Sequence, residues 1–186
     1  MKDFKISELD LVKDKPQIAK WDELRGAPEY EDIKKFILED DLIRGLAEVI
    51  ETNYEIIPIG EDEIKKAVVA KTSEGEVLGF MIYQVFDIKT KKPSMFLQYI
   101  VVNPKYKSQG YGKEIFSKFF SSPRKHTGGV SPRDIFAYVD RNNFQSQKLF
   151  LDFGFSLDAA NSQFFKAGAI LPEIQKRIQS QNAPNA

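Results

Sequence analysis

The chain contains no cysteine, which excludes disulfides, thiolate metal sites and a cysteine nucleophile together. It has a single histidine, His126, set between Arg124-Lys125 and the Gly128-Gly129 pair, and this loop setting predicts a solvated side chain. One histidine without thiolates does not build a zinc site, so no metal is expected. Net charge is missing too, since 27 basic residues balance 27 acidic ones. A nucleic-acid binder usually carries a basic surplus, so no nucleic-acid partner is expected. No apolar run approaches the roughly 18 residues of a membrane span. The opening Met1-Lys2-Asp3-Phe4-Lys5 is charged where a signal peptide is apolar. A cytoplasmic protein with no membrane partner is therefore expected.

What is present describes a globular domain. The 186 residues are 42% hydrophobic and 29% charged, enough for one sizeable core. Alternation over residues 4–9 predicts a short strand, and Pro16 opens a helical pattern with Ile18, Trp21 and Leu24 on one face. A longer amphipathic stretch follows over residues 33–50. Residues 67–70 and 77–83 read as strands joined by the turn Ser73-Glu74-Gly75-Glu76. Residues 95–102 form a nearly continuous apolar run, as expected of a strand buried on both faces. A helix over 110–120, a strand over 134–139, a helix over 143–153 stopped by Gly154, and a strand over 163–171 complete the pattern. The domain is expected to occupy residues 1–171, with 172–186 a polar, fraying tail.

The segment Ile100-Val101-Val102-Asn103-Pro104-Lys105-Tyr106-Lys107-Ser108-Gln109-Gly110-Tyr111-Gly112-Lys113 is a strand, a turn, a basic loop and a helix start. A helix N-terminus leaves backbone N–H groups unpaired at a positive dipole end, and glycines let a phosphate reach them. It is not a P-loop: Glu114 follows Gly112-Lys113 where Ser or Thr is required. It is not a dinucleotide fingerprint either, because Ile115 stands where the third glycine belongs. Further on, Asn143, Ser146, Phe150, Gly154 and Phe155 form a second constellation around a helix. Asp152-Phe153-Gly154 spells a kinase tripeptide, but no catalytic His-Arg-Asp precedes it, so it reads as a helix end.

Together, in this order, the two segments resemble the motifs of the GNAT superfamily of N-acetyltransferases. Val102-Asn103-Pro104 and Lys107-Ser108-Gln109-Gly110-Tyr111-Gly112 match the first motif. Asn143, Gly154 and Phe155 match the second, with Ser146 in place of alanine. The likeness is tight over residues 95–155, looser over 67–87 and uninformative over 1–64. It implies a single α/β domain whose mixed central sheet splays around an acyl-CoA cleft between flanking helices. It further implies acetyl-CoA as co-substrate, with its arm along Ile100, Val101 and Val102 and its pyrophosphate on the amides of Ser108, Gln109, Gly110, Tyr111, Gly112 and Lys113. Lys107 would add charge, and Asn143, Ser146 and Phe150 would line the other side. A small-molecule or protein amine is the expected acceptor, and a homodimer stays open.

Three positions depart from the family's catalytic pattern. Phe150 stands where the family often has a proton-donating tyrosine, and Phe96 and Tyr138 occupy the usual positions of a catalytic glutamate. Tyr99 and Tyr138 are the candidates to take over proton transfer, beside solvent or a carboxylate from the N-terminal region. The alternative reading is a catalytically weakened acyl-CoA-binding sensor or partner-binding module.

Overall fold

A computed structural model of the protein describes residues 3–10, 12–18, 20, 21 and 62–182. The expected helical stretch over 33–50, Leu24 and the chain around them lie outside the described residues. Among the described residues seven strands form one mixed sheet: β1 (Lys5–Glu8), β2 (Ile64–Lys71), β3 (Val77–Phe86), β4 (Ser94–Val102), β5 (Asp134–Asp140), β6 (Ser156–Ala159) and β7 (Phe164–Ile170). Their order is β1-β2-β3-β4-β5-β7-β6, and every neighbouring pair is antiparallel except β4 with β5. Four described helices accompany them: α1 (Lys15–Ile18), α2 (Tyr111–Ser121), α3 (Phe144–Asp152) and α4 (Leu171–Asn182).

The parallel pair forces a crossover, and α2 supplies it. Its apolar residues Ile115, Phe116, Phe119 and Phe120 recur at helical spacing and are all buried. They meet Met81, Tyr83, Met95 and Leu97 of the sheet and Phe150, Phe153 and Phe155 from α3 and the turn after it. Phe116 is central, with ring centroids 4.5 Å from both Phe120 and Phe153. Truncating a ring so enclosed costs about 3–5 kcal/mol. The other face of the sheet carries a second cluster, in which Trp21 stacks on Phe80 at 5.9 Å beside Ile18 and Ile82. The corner before α1 is tied down by Asp14, whose buried carboxylate takes Lys71 Nζ at 3.0 Å on both oxygens.

Three expectations are corrected. Residues 171–182 form helix α4, with Leu171, Ile174 and Ile178 buried, rather than a fraying tail. Those three residues make an apolar stripe, Pro172 suits a first helical turn, and Gln175 Nε2 donates to Phe120 O at 3.2 Å. His126 is half-buried, its ring stacked on Phe119 at 5.3 Å, and burial holds its pKa below the ordinary value. Its backbone oxygen accepts the Tyr83 hydroxyl at 2.7 Å, so this loop is packed onto the core. Finally, β4 is alternately buried only to Leu97; residues 98–102 are half-buried. No helix among the described residues is long and apolar enough to cross a membrane.

Candidate active site

The half-burial of β4 has a topological cause. Its parallel pairing with β5 consists of Ser94↔Asp134, Met95↔Ile135 and Phe96↔Phe136. Beyond that point β4 continues to Val102 and β5 to Asp140 without pairing with each other, so the sheet is split. On its other edge β4 stays paired with β3 as far as Gly79↔Val102, and Asn103 N–H donates to Leu78 O at 2.8 Å. Because antiparallel bonding alternates, Val102 and Ile100 turn their backbone N–H and C=O toward the split. Side chains alternate too: Ile100 and Val102 pack toward α2, Tyr99 and Val101 toward Trp21 and Phe80. The split therefore offers an edge-strand row of hydrogen-bonding groups between apolar walls.

At the end of β4 the chain turns through Pro104–Tyr106 into α2. Buried Asn103 fixes this turn, donating from Nδ2 to Val77 O at 3.0 Å and accepting Lys105 N–H on Oδ1 at 3.1 Å. Glu76, in the β2–β3 turn, accepts the Tyr106 hydroxyl at 2.6 Å and Lys105 Nζ at 2.9 Å. The Tyr106 hydroxyl and the Lys105 ammonium hold the Glu76 carboxyl below the usual carboxylate range. Lys105 is thus engaged from behind. The remaining loop, Lys107, Ser108, Gln109 and Gly110, is exposed, and so is Lys113. Ser108 and Gly110 both take left-handed backbone angles, φ 59 and φ 83. At Gly110 no side chain caps the helix, and a Cβ there would meet nothing within 4 Å. Gly112 is tighter, its hypothetical Cβ 3.4 Å from Val102 Cγ2. Tyr111 turns its ring inward onto Tyr106 at 5.2 Å.

The opposite wall is built differently. Asn143 caps α3, its Oδ1 accepting Ser146 N–H at 3.0 Å, so the amide oxygen is committed to the fold. Phe150 is 3% exposed, edge-on to Phe155 at 4.9 Å and to Phe116 at 6.0 Å. Tyr138 is 39% exposed and meets Phe96 edge-on at 5.9 Å; Phe96 in turn stacks on Phe136 at 5.2 Å. Tyr138 and Tyr99 therefore lie on the Trp21 side of the sheet, either side of the split, while Phe150 lies on the α2 side. No cluster of three or more His, Asp or Glu suited to a metal occurs among the described residues. Two residues escaped the sequence reading. Glu76 carried no sequence signal. Gln98 did, as the lone carboxamide in an apolar run.

A split parallel pair followed by an uncapped, glycine-led helix is an arrangement for an extended ligand with an anionic end. The profile of the Acetyltransferase (GNAT) family matches residues 29–155, more than half of the chain, and the chain belongs to that family. The fold is likewise similar to solved acetyltransferases. A chimera of the spermidine N-acetyltransferase SpeG from Vibrio cholerae and hSSAT superposes with a TM-score of 0.61 at 13% identity, covering 93% of this chain and 98% of that one. The PaiA N-acetyltransferase of Thermoplasma acidophilum, solved with coenzyme A, gives 0.59 at 14%, covering 91% and 99%. The ribosomal-protein-S18-alanine N-acetyltransferase of Escherichia coli gives 0.58 at 17%, covering 90% and 94%. No curated protein matches the chain by sequence.

Proposed function

We propose that the protein transfers an acetyl group from acetyl-CoA to a primary amine of a small molecule or protein. The observation that carries this reading is the split between β4 and β5 leading straight into the open N-terminus of α2. The residues suit the co-substrate: the space beside Gly110 is clear and the loop around it is exposed and basic. Fold relatives solved with coenzyme A, or named for acetylating spermidine and a protein alanine, support the same class.

Acetyl-CoA supplies an activated acyl carbon and a sulfur leaving group. Ile100 and Val102 present backbone groups to its arm, and the amides of Ser108, Gln109, Gly110, Tyr111, Gly112 and Lys113, with Lys107, take its pyrophosphate. The Nδ2 of Asn143, which the helix cap does not use, is a donor for the arm from the other wall. The Val102 N–H, aimed into the split, is placed to stabilise negative charge developing on the acyl oxygen. The amine nitrogen bonds to the acyl carbon, the carbon–sulfur bond breaks, and one proton must leave nitrogen while one reaches sulfur. Tyr99 and Tyr138 flank the split and are the side chains proposed to move these protons. Phe150 packs beneath the site and cannot donate one. A thiol of pKa about 8.5 leaves tolerably without a donor. An α-amine near 8 loses its proton more readily than a lysine near 10.4, which favours the easier amine. The second reading, a CoA-binding module with weakened catalysis, is favoured by Phe150 and by Phe96 and Tyr138 at the usual glutamate positions.

The test is a thermal melt with acetyl-CoA and CoA, followed by thiol release across a panel of amines. A ligand at about 100 times its Kd stabilises the native state by roughly 2.7 kcal/mol. Binding with turnover supports the enzyme, binding without turnover the module, and no shift at millimolar ligand defeats both.

A further inference from the structure

Strand β4 carries a bulge at the mouth of the split. Ile82 pairs with Tyr99 and Tyr83 with Leu97, which leaves Gln98 as the inserted residue. Leu97 belongs to the core on the α2 side and Tyr99 to the cluster around Trp21. Alternation from Leu97 puts Gln98 on the same face as Tyr99. Pairing with β5 ends two residues earlier, at Phe96↔Phe136, so Gln98 stands where the strands part and level with Tyr138. Its Oε1 is enclosed yet has no hydrogen-bond partner among the described residues. Most buried side-chain polar atoms in native structures are satisfied by protein or water, so an exception calls for a partner from outside the chain.

We propose that Gln98 positions the acceptor: Oε1 receives an N–H of the incoming amine and turns the nitrogen lone pair toward the acyl carbon. This rests on the acetyltransferase reading. An amide oxygen is far too weakly basic to hold the proton that nitrogen must lose, so that proton goes to solvent or a tyrosine while sulfur departs as thiolate. Gln98 fixes geometry and leaves proton transfer to others. Nothing about acetyl-CoA affinity depends on it, because the arm and pyrophosphate are held by backbone groups further along β4 and by α2.

The experiment uses the full chain, acetyl-CoA at saturation, and whichever of spermidine, an N-terminal alanine peptide or a lysine peptide the wild type turns over fastest. Gln98→Leu is expected to raise the amine KM about ten-fold, the loss of one hydrogen bond, with an unchanged calorimetric Kd for acetyl-CoA. Gln98→Glu keeps an acceptor oxygen and is expected to recover the amine KM once ionised, giving an acidic limb that the wild-type profile lacks. Should Gln98→Leu not fold, Gln98→Met removes the same oxygen at similar length. An unchanged amine KM, or an acetyl-CoA Kd weakened as much as the amine KM, overturns the proposal. A wild type that turns over none of the amines overturns the acetyltransferase reading with it; turnover with an indifferent variant overturns this proposal alone.

Discussion

The two helices that flank the split begin in opposite ways. Helix α2 opens on Gly110 in a left-handed conformation with no side-chain hydrogen bond from its cap residue, behind an exposed basic loop. Helix α3 opens on Asn143, whose own side chain takes up the Ser146 N–H. Both ends carry the same dipole, roughly half a positive charge. Only one is left for an outside anion. A helix start becomes a binding site when the protein declines to cap it, and here that choice separates a phosphate site from a structural joint.

The largest expected effect tests the uncapped end. Gly110→Val places a branched side chain in the open space beside the loop, at a backbone angle such residues rarely adopt. Acetyl-CoA affinity should fall about 100-fold, or ~2.7 kcal/mol, in a protein whose circular dichroism stays native. Wild-type calorimetry in that variant would place the anion elsewhere. A middle-sized effect separates the two duties of Asn143. Asn143→Ala should cost about 1 kcal/mol of stability through the lost cap, read by denaturant titration. Asn143→Asp keeps the cap, so its stability should match wild type while its acetyl-CoA affinity drops, the donor having been replaced by a charged oxygen. If both variants bind normally, the α3 end is purely structural. The smallest effect belongs to Lys107→Ala, which removes one exposed charge but no amide. Binding should weaken by about two- to five-fold, the scale of a surface ion pair, and depend less steeply on salt.

Much of this arrangement was legible in the residues because it is written in local chemistry. The Asn-Pro turn, the glycines at 110 and 112 and the phenylalanine stripe of α2 each specify their own conformation, and the structure follows them. Helix α4 was misread because residues 172–186 are mostly polar; three apolar residues at helical spacing decide the matter once a core is available to receive them. The burial of His126 depends on Phe119 from a neighbouring helix, which no local pattern announces. The bulge at Gln98 was hidden for a similar reason. Register is a property of two strands, and the apolar run of β4 reads the same with or without it. The brace from Glu76 to Lys105 and Tyr106 joins segments about thirty positions apart, so only the assembled hairpin reveals it.

The three-pair contact between β4 and β5 also makes the sheet two rafts joined at one short seam. Four strands lie on one side and three on the other, in the order β1 to β4 and then β5, β7, β6. Helices α2 and α4 lash the rafts together on one face, touching each other and the strands of both. Such a seam is where sub-global opening is least costly. The amides of Ile100 and Val102, which lack a β5 neighbour, should accordingly trade their hydrogens with water sooner than those of Val101 and Asn103 on the opposite edge. A molecule lying along that row would act as a temporary eighth strand, so that occupancy and the mechanical unity of the sheet rise and fall together.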